Sequence, residues 1–560
     1  MPRGIGLLLL CGLTFVFGLS QPAVTDSDEA FYAEAGREMV ESGDWTTPHY
    51  NYEPRLQKPI LFYWVIAATY ELTGVSEWAA RIGSALAGLG LALIAALVGR
   101  RWYGSSAGML AGAVVGTSFG VVPLARQSLP DTPLALFVSL TAWAAIEAFD
   151  LRPSTAQAGS RLTPGGWLAT AAVAAGFGTL TKGPVALALP FMILAPLWIW
   201  QRRQTGKMWP DGLGVRQVAV AVALFVVVAV PWYLAVMRAQ GLEYAWRFFV
   251  GENVERFATS TYNTWRGYIY VPIIIGGLLP WSAFGLLWVR PFGELISRRR
   301  SLGWPEMRLL CWAGGPLAFF MVSIGSQPRY ILPCLVPLSI LLARSITSQA
   351  TAPTASSLFR VAATMAGLAI ATLGGLLWRA VTVFESGGET LSIAGPATMT
   401  VIGVALAVAT MFLPRRIVPA VIAVAAGAAL VVFNVTLMAP NRPEPVEVIA
   451  AAIRADGQGR DLCACGALGR SLPFYSGMRA VIADVNSEHT DELTFYLENS
   501  RPGLLVVDER VLEQVERRLG RTFQRLKSVT YLNTSIWQRG ESLLAPDPRH
   551  VQRVILVRNR

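Results

Sequence analysis

Apolar runs of about 18 residues or more recur along this chain, each long enough to cross roughly 30 Å of hydrocarbon as a helix. They fall at 4–20, 77–99, 105–123, 132–149, 166–181, 184–200, 215–237, 267–289, 307–324, 330–347, 358–379, 394–413 and 417–438. Composition agrees: 53% of the 560 residues are hydrophobic and 15% are charged, whereas soluble domains run near a quarter charged. The pattern predicts an α-helical polytopic membrane protein with about thirteen transmembrane helices. The first run has a basic start like a signal peptide, but Gln-Pro-Ala-Val-Thr-Asp follows it. That is a poor cleavage site, so an uncleaved first span is expected.

Alternate connections between the runs are basic. They carry Arg100-Arg101, Arg152 and Arg161, Arg202-Arg203 with Lys207, Arg298-Arg299-Arg300, Arg344 and Arg360, and Arg415-Arg416. With Arg3 these residues define a cytoplasmic face. The net charge of +11 is therefore read as topology and headgroup contact, and nucleic acid is not expected as a partner. The opposite face receives the long loop 21–76, shorter connections, and everything after about Pro440. Asp28 to Ser42 on that face has the periodicity of an interfacial amphipathic helix, and Leu242 to Val250 repeats it more weakly.

The chain divides by composition into 1–440, a transmembrane domain with extracytoplasmic loops, and 441–560, a small extracytoplasmic α/β domain. In the second part, apolar strands at Leu462–Cys465, Ala480–Ala483, Gly503–Val507 and Val554–Val557 alternate with helical stretches at Asp491–Asn499 and Glu509–Leu519. The five cysteines give no disulfide framework. Cys11, Cys311 and Cys334 sit in apolar runs, and Cys463 and Cys465 are alternate residues of a short strand.

Five constellations on the extracytoplasmic face could carry chemistry. Asp28-Glu29, with Asp26, makes three carboxylates beside the membrane, where helix capping needs only one. Lys58, in Gln57-Lys58-Pro59 with Arg55 near, places a cation at headgroup depth, where a snorkelling lysine or a phosphate ligand are both reasonable. Asp131 follows Leu129-Pro130 at a span end and could simply cap the next helix. Lys182 lies at the Lys-Gly-Pro turn between two spans. Arg329 and Tyr330, in Gln327-Pro328-Arg329-Tyr330, lie on the same outer face, with Tyr330 entering the next helix as a candidate for the aromatic belt. Each has an ordinary explanation alone, but polar groups gathered beside lipid tend to be functional. Among the three histidines only His49 is near, and no metal-binding spacing is present.

Two stretches, T-D-S-D-E-A-F-Y-A-E-A-G-R-E-M-V-E-S-G-D-W-T-T-P and Q-K-P-I-L-F-Y-W, resemble the first outer loop of ArnT-type glycosyltransferases. These are aminoarabinose–lipid A transferases related to protein O-mannosyltransferases, of the GT-C fold class. R-Q-S-L-P-D-T-P-L-A-L-F, L-T-K-G-P, E-N-V-E-R-F with G-L-L-P-W, and P-R-Y-I-L-P-C-L-V-P-L follow in family order over most of 20–340. The resemblance implies transfer of a sugar from a polyprenyl-phosphate donor at the outer surface of a bacterial inner membrane. The acceptor would be an envelope lipid, glycan or protein. It implies Asp28 as the catalytic carboxylate and Lys58 as the donor-phosphate ligand. Asp131, Lys182, Tyr32, Tyr330, Arg329 and Glu29 would lie around the substrates.

Gln57 and Asn253 stand where the family's zinc-binding Glu and His would be, and Phe31 replaces the motif's Arg. The family's zinc site is thus not retained, no cofactor is called for, and a divalent metal is left open; sugar and acceptor do not carry over. A single displacement by a hydroxyl, with the carboxylate as base, would invert the anomeric centre. The alternative class is a transporter or flippase of a lipid-linked precursor. It would want charges at the bilayer midplane and paired halves with broken helices, and neither is apparent. A non-catalytic assembly subunit is a third class, which the presence of Asp28, Lys58 and Asp131 argues against.

Overall fold

The computed structural model describes residues 2–151, 162–255, 267–297, 301–324, 327–352, 357–386, 392–436, 443–456, 461–466, 468–483, 503–532 and 544–558. The protein is a multi-span, mostly helical membrane protein. A helix lies at each expected span, but the spans are not all straight rods. Among the described residues, seven helices are both long and apolar enough to cross a membrane, or eight if the bent pair Gly267–Gly277 and Trp281–Ile296 forms one span. The helix of the first span runs only from Pro2 to Cys11 before turning to π geometry over Gly12–Val16. The run 105–123 is helical only from Ser105 to Gly116.

The breaks have a common physical cause. Where a helix stops in an apolar setting, its freed backbone groups need other partners. At the end of Ser105–Gly116, the amides of Phe119 and Gly120 donate to the carbonyls of Leu279 and Gly277, at 3.1 and 2.8 Å. Those acceptors belong to the break in the 267–296 pair, so two interrupted segments satisfy one another. Trp281 closes the joint by donating to Thr117 at 2.9 Å. The first span ends against Arg126, whose guanidinium donates to the carbonyls of Thr14, Phe15 and Phe17.

Elsewhere small residues let helices approach closely, as expected where no hydrophobic force drives association. A Cβ added at Gly367, on helix Ser357–Ser386, would fall 2.5 Å from the Ala407 amide of helix Ala394–Phe412. Charge also gathers at the other end of the bundle. At the end opposite Asp131 and Lys182, Arg308 and Asp150 form a buried pair at 2.7 Å, and Arg101 holds Glu147 at 2.8 Å. The basic residues 152, 161 and 298–300 lie outside the described residues.

The first long loop contains two helices. Asp28–Ser42 is the expected one, capped by Ser27 and ended by Gly43 in the left-handed region at φ 69°. Leu61–Thr73, which follows Lys58, is a second helix that the apolar run left unassigned. Its Tyr63, Ile66 and Tyr70 pack with Ala33, Ala35 and Met39 of the first. The weaker repeat becomes a short helix, Leu242–Trp246, continued with π geometry over Arg247–Glu255.

Toward the C-terminus, five strands among the described residues form one sheet in the spatial order Ala480–Ala483, Asp461–Cys465, Gly503–Asp508, Val551–Arg558, Gln524–Leu532. The first three are parallel, and the last two run antiparallel to their neighbours. Alternation along the strands sorts side chains to two faces. Leu462, Ala464, Leu504 and Val506 pack on helix Pro445–Asp456. Cys463, Cys465, Leu505 and Val507 pack on helix Glu509–Leu519. The expected helix Asp491–Asn499 lies outside the described residues.

Candidate active site

The three neighbouring carboxylates part in three directions. Ser27 takes the capping role, its hydroxyl accepting from the Glu29 amide at 3.4 Å, so Asp28 is not needed as a cap. Glu29 is fully buried and turns toward the bundle, where Arg81 grips it at 2.7 and 3.0 Å. It also accepts from the amides of Thr25 and Ser128, both at 2.9 Å. Asp26 turns the other way and accepts from the backbone of Arg470 and Ser471. Only Asp28 remains on the side where the cations gather.

Its partner is Arg329, carried on the turn Pro328–Ile331 that opens the helix Leu332–Thr351. Arg329 also stands 3.2 Å from Asp131, the first residue of helix Asp131–Ala148. The other oxygen of Asp131 accepts from Lys182 at 2.6 Å. Lys182 ends helix Pro164–Lys182 with its ammonium 4.2 Å from the centre of the Tyr330 ring. The result is a chain of alternating charge: Asp28, Arg329, Asp131, Lys182. Buried charges are tolerable in such an arrangement because each has an opposite neighbour.

Gly183 makes the turn after Lys182 at φ +78°. A Cβ there would fall 2.6 Å from the ring of Phe248, so a side chain would be both strained and obstructed. Lys58 enters from the first loop and pairs with Glu252 at 2.6 Å, with a further bond to the Gln57 carbonyl at 3.0 Å. Lys58, Asp131, Lys182, Arg329 and Tyr330 line the polar part of a cavity of about 330 Å³, whose remaining wall includes Leu134, Val185, Phe319 and Phe320. Asp28 is not a lining residue and joins the group through its ion pair with Arg329.

Burial pushes the Asp28 carboxyl up. The charge and hydrogen bond of Arg329 outweigh that effect, with Arg55 helping and Asp131 opposing, and leave the group below the ordinary carboxylate value. Asp28 is therefore ionised at neutral pH.

The structure thus brings together Asp28, Lys58, Asp131, Lys182, Arg329 and Tyr330. It does not bring Glu29 or Tyr32 to the cavity. Tyr32 is buried against Phe62 and Tyr63, with ring centroids at 5.4 and 5.2 Å. Sequence reasoning missed Glu252, although it stands in the quoted E-N-V-E-R-F beside Asn253. It also missed Arg81, hidden near the start of an apolar helix.

Residues 11–240 match the sequence model of a family described as dolichyl-phosphate-mannose-protein mannosyltransferase. An undecaprenyl phosphate-alpha-4-amino-4-deoxy-L-arabinose arabinosyl transferase 2 of Pseudomonas fluorescens is 35% identical over 344 residues, covering 61% of this chain and 55% of the relative. A transferase of the same description from Pseudomonas aeruginosa is 35% identical over 351 residues, covering 61% and 59%. The chain therefore spans less than two thirds of the length of these curated relatives. The crystal structure of ArnT from Cupriavidus metallidurans bound to undecaprenyl phosphate superposes with a TM-score of 0.76 at 21% identity, covering 100% of this chain and 98% of that one. The chain shares the GT-C fold of that structure.

One feature that the ArnT-like resemblance implies does not fit. Zinc needs charged or strongly donating ligands, and Gln57 and Asn253 offer neutral amides. Asn253 spends its Nδ2 on the Phe248 carbonyl at 2.7 Å, and the nearby Glu252 faces an ammonium rather than open space. Among the described residues, no group of three or more His, Cys, Asp and Glu side chains could hold a metal ion.

Proposed function

We propose that this protein is a membrane glycosyltransferase. It would move a sugar from a polyprenyl-phosphate donor to a hydroxyl or phosphate of an envelope lipid, glycan or protein. The observation that carries the reading is the convergence of Lys58, Lys182 and Arg329 with Asp131 and Glu252 at the polar end of an apolar cavity, with Asp28 ion-paired to Arg329 beside it. The apolar wall suits a lipid tail and the cations suit its phosphate. The relatives named for undecaprenyl-phosphate-linked aminoarabinose, and the ArnT structure with undecaprenyl phosphate, support that donor class.

In this reading Asp28 faces the acceptor. For a hydroxyl acceptor it takes the proton as the oxygen attacks the anomeric carbon. The bond from that carbon to the donor phosphate breaks, and Lys58, Lys182 and Arg329 stabilise the charge left on the phosphate. Asp131 holds Lys182 and Arg329 in place for this task. One displacement at the anomeric carbon inverts its configuration. The site faces the periplasm, because the basic connections mark the other side as cytoplasmic. The C-terminal sheet lies on the same side as a separate α/β domain.

The test is mass spectrometry of envelope glycolipids and glycoproteins from cells with and without the protein, with Asp28→Asn as the comparison. A product lost with the protein and not restored by Asp28→Asn supports the reading. Full restoration by Asp28→Asn sinks the catalytic assignment. Retained configuration in the product sinks the single displacement.

A further inference from the structure

The segment that delivers Asp28 is held from two sides. From the bundle, Arg81 donates to the carbonyls of Pro22 and Ala23, at 2.6 and 2.7 Å. From the C-terminal part, four residues reach the same short segment. Glu444 accepts from the Ala23 amide at 2.6 Å. The Tyr475 hydroxyl accepts from the Val24 amide at 2.7 Å and donates to Glu77 at 3.0 Å. Asp26 accepts from the amides of Arg470 and Ser471, at 2.7 and 2.8 Å, and from the Ser471 hydroxyl at 3.2 Å.

Asp26 and Tyr475 do not line the cavity. We propose that they are positioning residues: through them the C-terminal part fixes residues 22–27, and so sets where the Asp28 carboxylate stands. The last bond of the clasp lies two residues before Asp28, and the helix that begins at Asp28 takes its N-cap from Ser27. Releasing Asp26 frees the chain immediately before that cap. An ion pair with Arg329 is sensitive to such a shift, because a carboxylate displaced by about 1 Å can lose on the order of a hundredfold in rate. A purely adhesive contact between the two parts predicts something else. The surface pair Arg479–Glu53, at 2.6 Å, also joins them, yet it touches no residue of the 22–28 segment. If adhesion were the whole role, removing either contact would have the same consequence.

The inference rests on the proposed role of Asp28, so its test includes a measurement independent of activity. Full-length protein in lipid nanodiscs is compared as wild type, Asp26→Ala, Asp26→Asn, Tyr475→Phe and Arg479→Ala. Three quantities are read: amide hydrogen exchange in residues 22–29, binding of undecaprenyl phosphate, and the rate of product accumulation in cells per amount of folded protein. Asp26→Ala is expected to speed exchange in 22–29 and to lower the rate about tenfold or more, with undecaprenyl phosphate affinity changed by less than about twofold. Asp26→Asn keeps an oxygen for the two amides and is expected to recover most of the rate. Tyr475→Phe loses only a hydroxyl, serves if Asp26→Ala does not fold, and is expected to fall in between. Arg479→Ala is expected to match the wild type.

Faster exchange at an unchanged rate would overturn the positioning role, as would equal losses in Asp26→Ala and Arg479→Ala. If instead Asp28→Asn proves active, the catalytic reading fails while the exchange data still report on the clasp.

Discussion

Arg329 is ion-paired with Asp28 across 301 residues of sequence, and its Nε lies 3.2 Å from Asp131. One guanidinium thus stands between two carboxylates. Removing it leaves both acids facing one another without a cation between them, the situation that raises carboxylate pKa values. Arg329→Ala is expected to lower the transfer rate by about a hundredfold or more. It should also move the acidic limb of the pH–rate profile upward, since Asp28 would titrate at higher pH. Arg329→Lys keeps the charge but cannot span both acids, so an intermediate rate is expected. A limb that stays in place in Arg329→Ala would dissociate it from Asp28 ionisation.

Lys58 and Glu252 pose a different question, because a lysine meant for phosphate is occupied by a carboxylate at 2.6 Å. Both side chains are largely enclosed, at 14% and 13% exposure, so a phosphate must compete with Glu252 for the ammonium. Glu252→Gln is expected to tighten undecaprenyl phosphate binding by roughly three- to tenfold and to steepen its salt dependence. Lys58→Ala should weaken it by about tenfold or more. Titration of the purified protein at two salt concentrations checks both. Weaker binding in Glu252→Gln would mean that Glu252 supports the lysine rather than competing with the ligand.

The contrast between Asp28 and Glu29 shows what the sequence could convey. Adjacent carboxylates look alike in a row of letters, and three in four residues argue only that two are surplus to capping. Their fates depend on partners at remote positions: Arg329 for one, Arg81 for the next, the Arg470–Ser471 backbone for Asp26. Lys58, Asp131 and Lys182 were legible because each punctuates an apolar run, and charge at the edge of hydrocarbon is conspicuous. Arg81 was hidden for the opposite reason, since one charge near the start of a 27-residue apolar helix barely alters its hydropathy. Interrupted spans escaped similarly. Hydropathy registers side chains, whereas the breaks near 117–121 and 277–280 are made tolerable by backbone hydrogen bonds between them. Strand Gln524–Leu532 carries polar residues because most of it is at least partly exposed at the sheet's edge, and so lacks the apolar run that marked the other strands.

Arg81 and Glu29 are 2% and 0% exposed, and the guanidinium also serves the carbonyls of Leu19, Pro22 and Ala23. Truncating it leaves a buried carboxylate and three carbonyls short of donors. Arg81→Ala is expected to cost about 3–5 kcal/mol, seen as a large drop in the thermal midpoint in detergent. Because much of that cost is the stranded charge, the double change Glu29→Gln with Arg81→Met should recover part of it. A double variant no more stable than Arg81→Ala would place the cost in the carbonyls rather than in Glu29.

Glu38 should make stability depend on pH in the direction opposite to an ordinary ion-paired carboxylate. It is buried on the Asp28–Ser42 helix, where desolvation first and the neighbouring Glu34 second push it up to about 7. The Tyr52 amide, donating at 2.9 Å, opposes the shift without cancelling it. Arg37, on the same helix, is engaged by Glu34 and by Glu41, at 2.7 Å each, and so does not relieve Glu38. With the folded value above the unfolded one of 4.5, the native state holds more protons between the two values. Stability therefore falls as pH rises from about 4.5 to about 7 and levels off above that window. Glu38→Gln removes the ionisation while keeping an acceptor for the Tyr52 amide. It is expected to raise the thermal midpoint relative to wild type at about pH 8, with the gain shrinking to nothing by about pH 5. Thermal midpoints of both proteins across that range decide it. A gain that is the same at both ends would assign the effect to packing rather than to the proton.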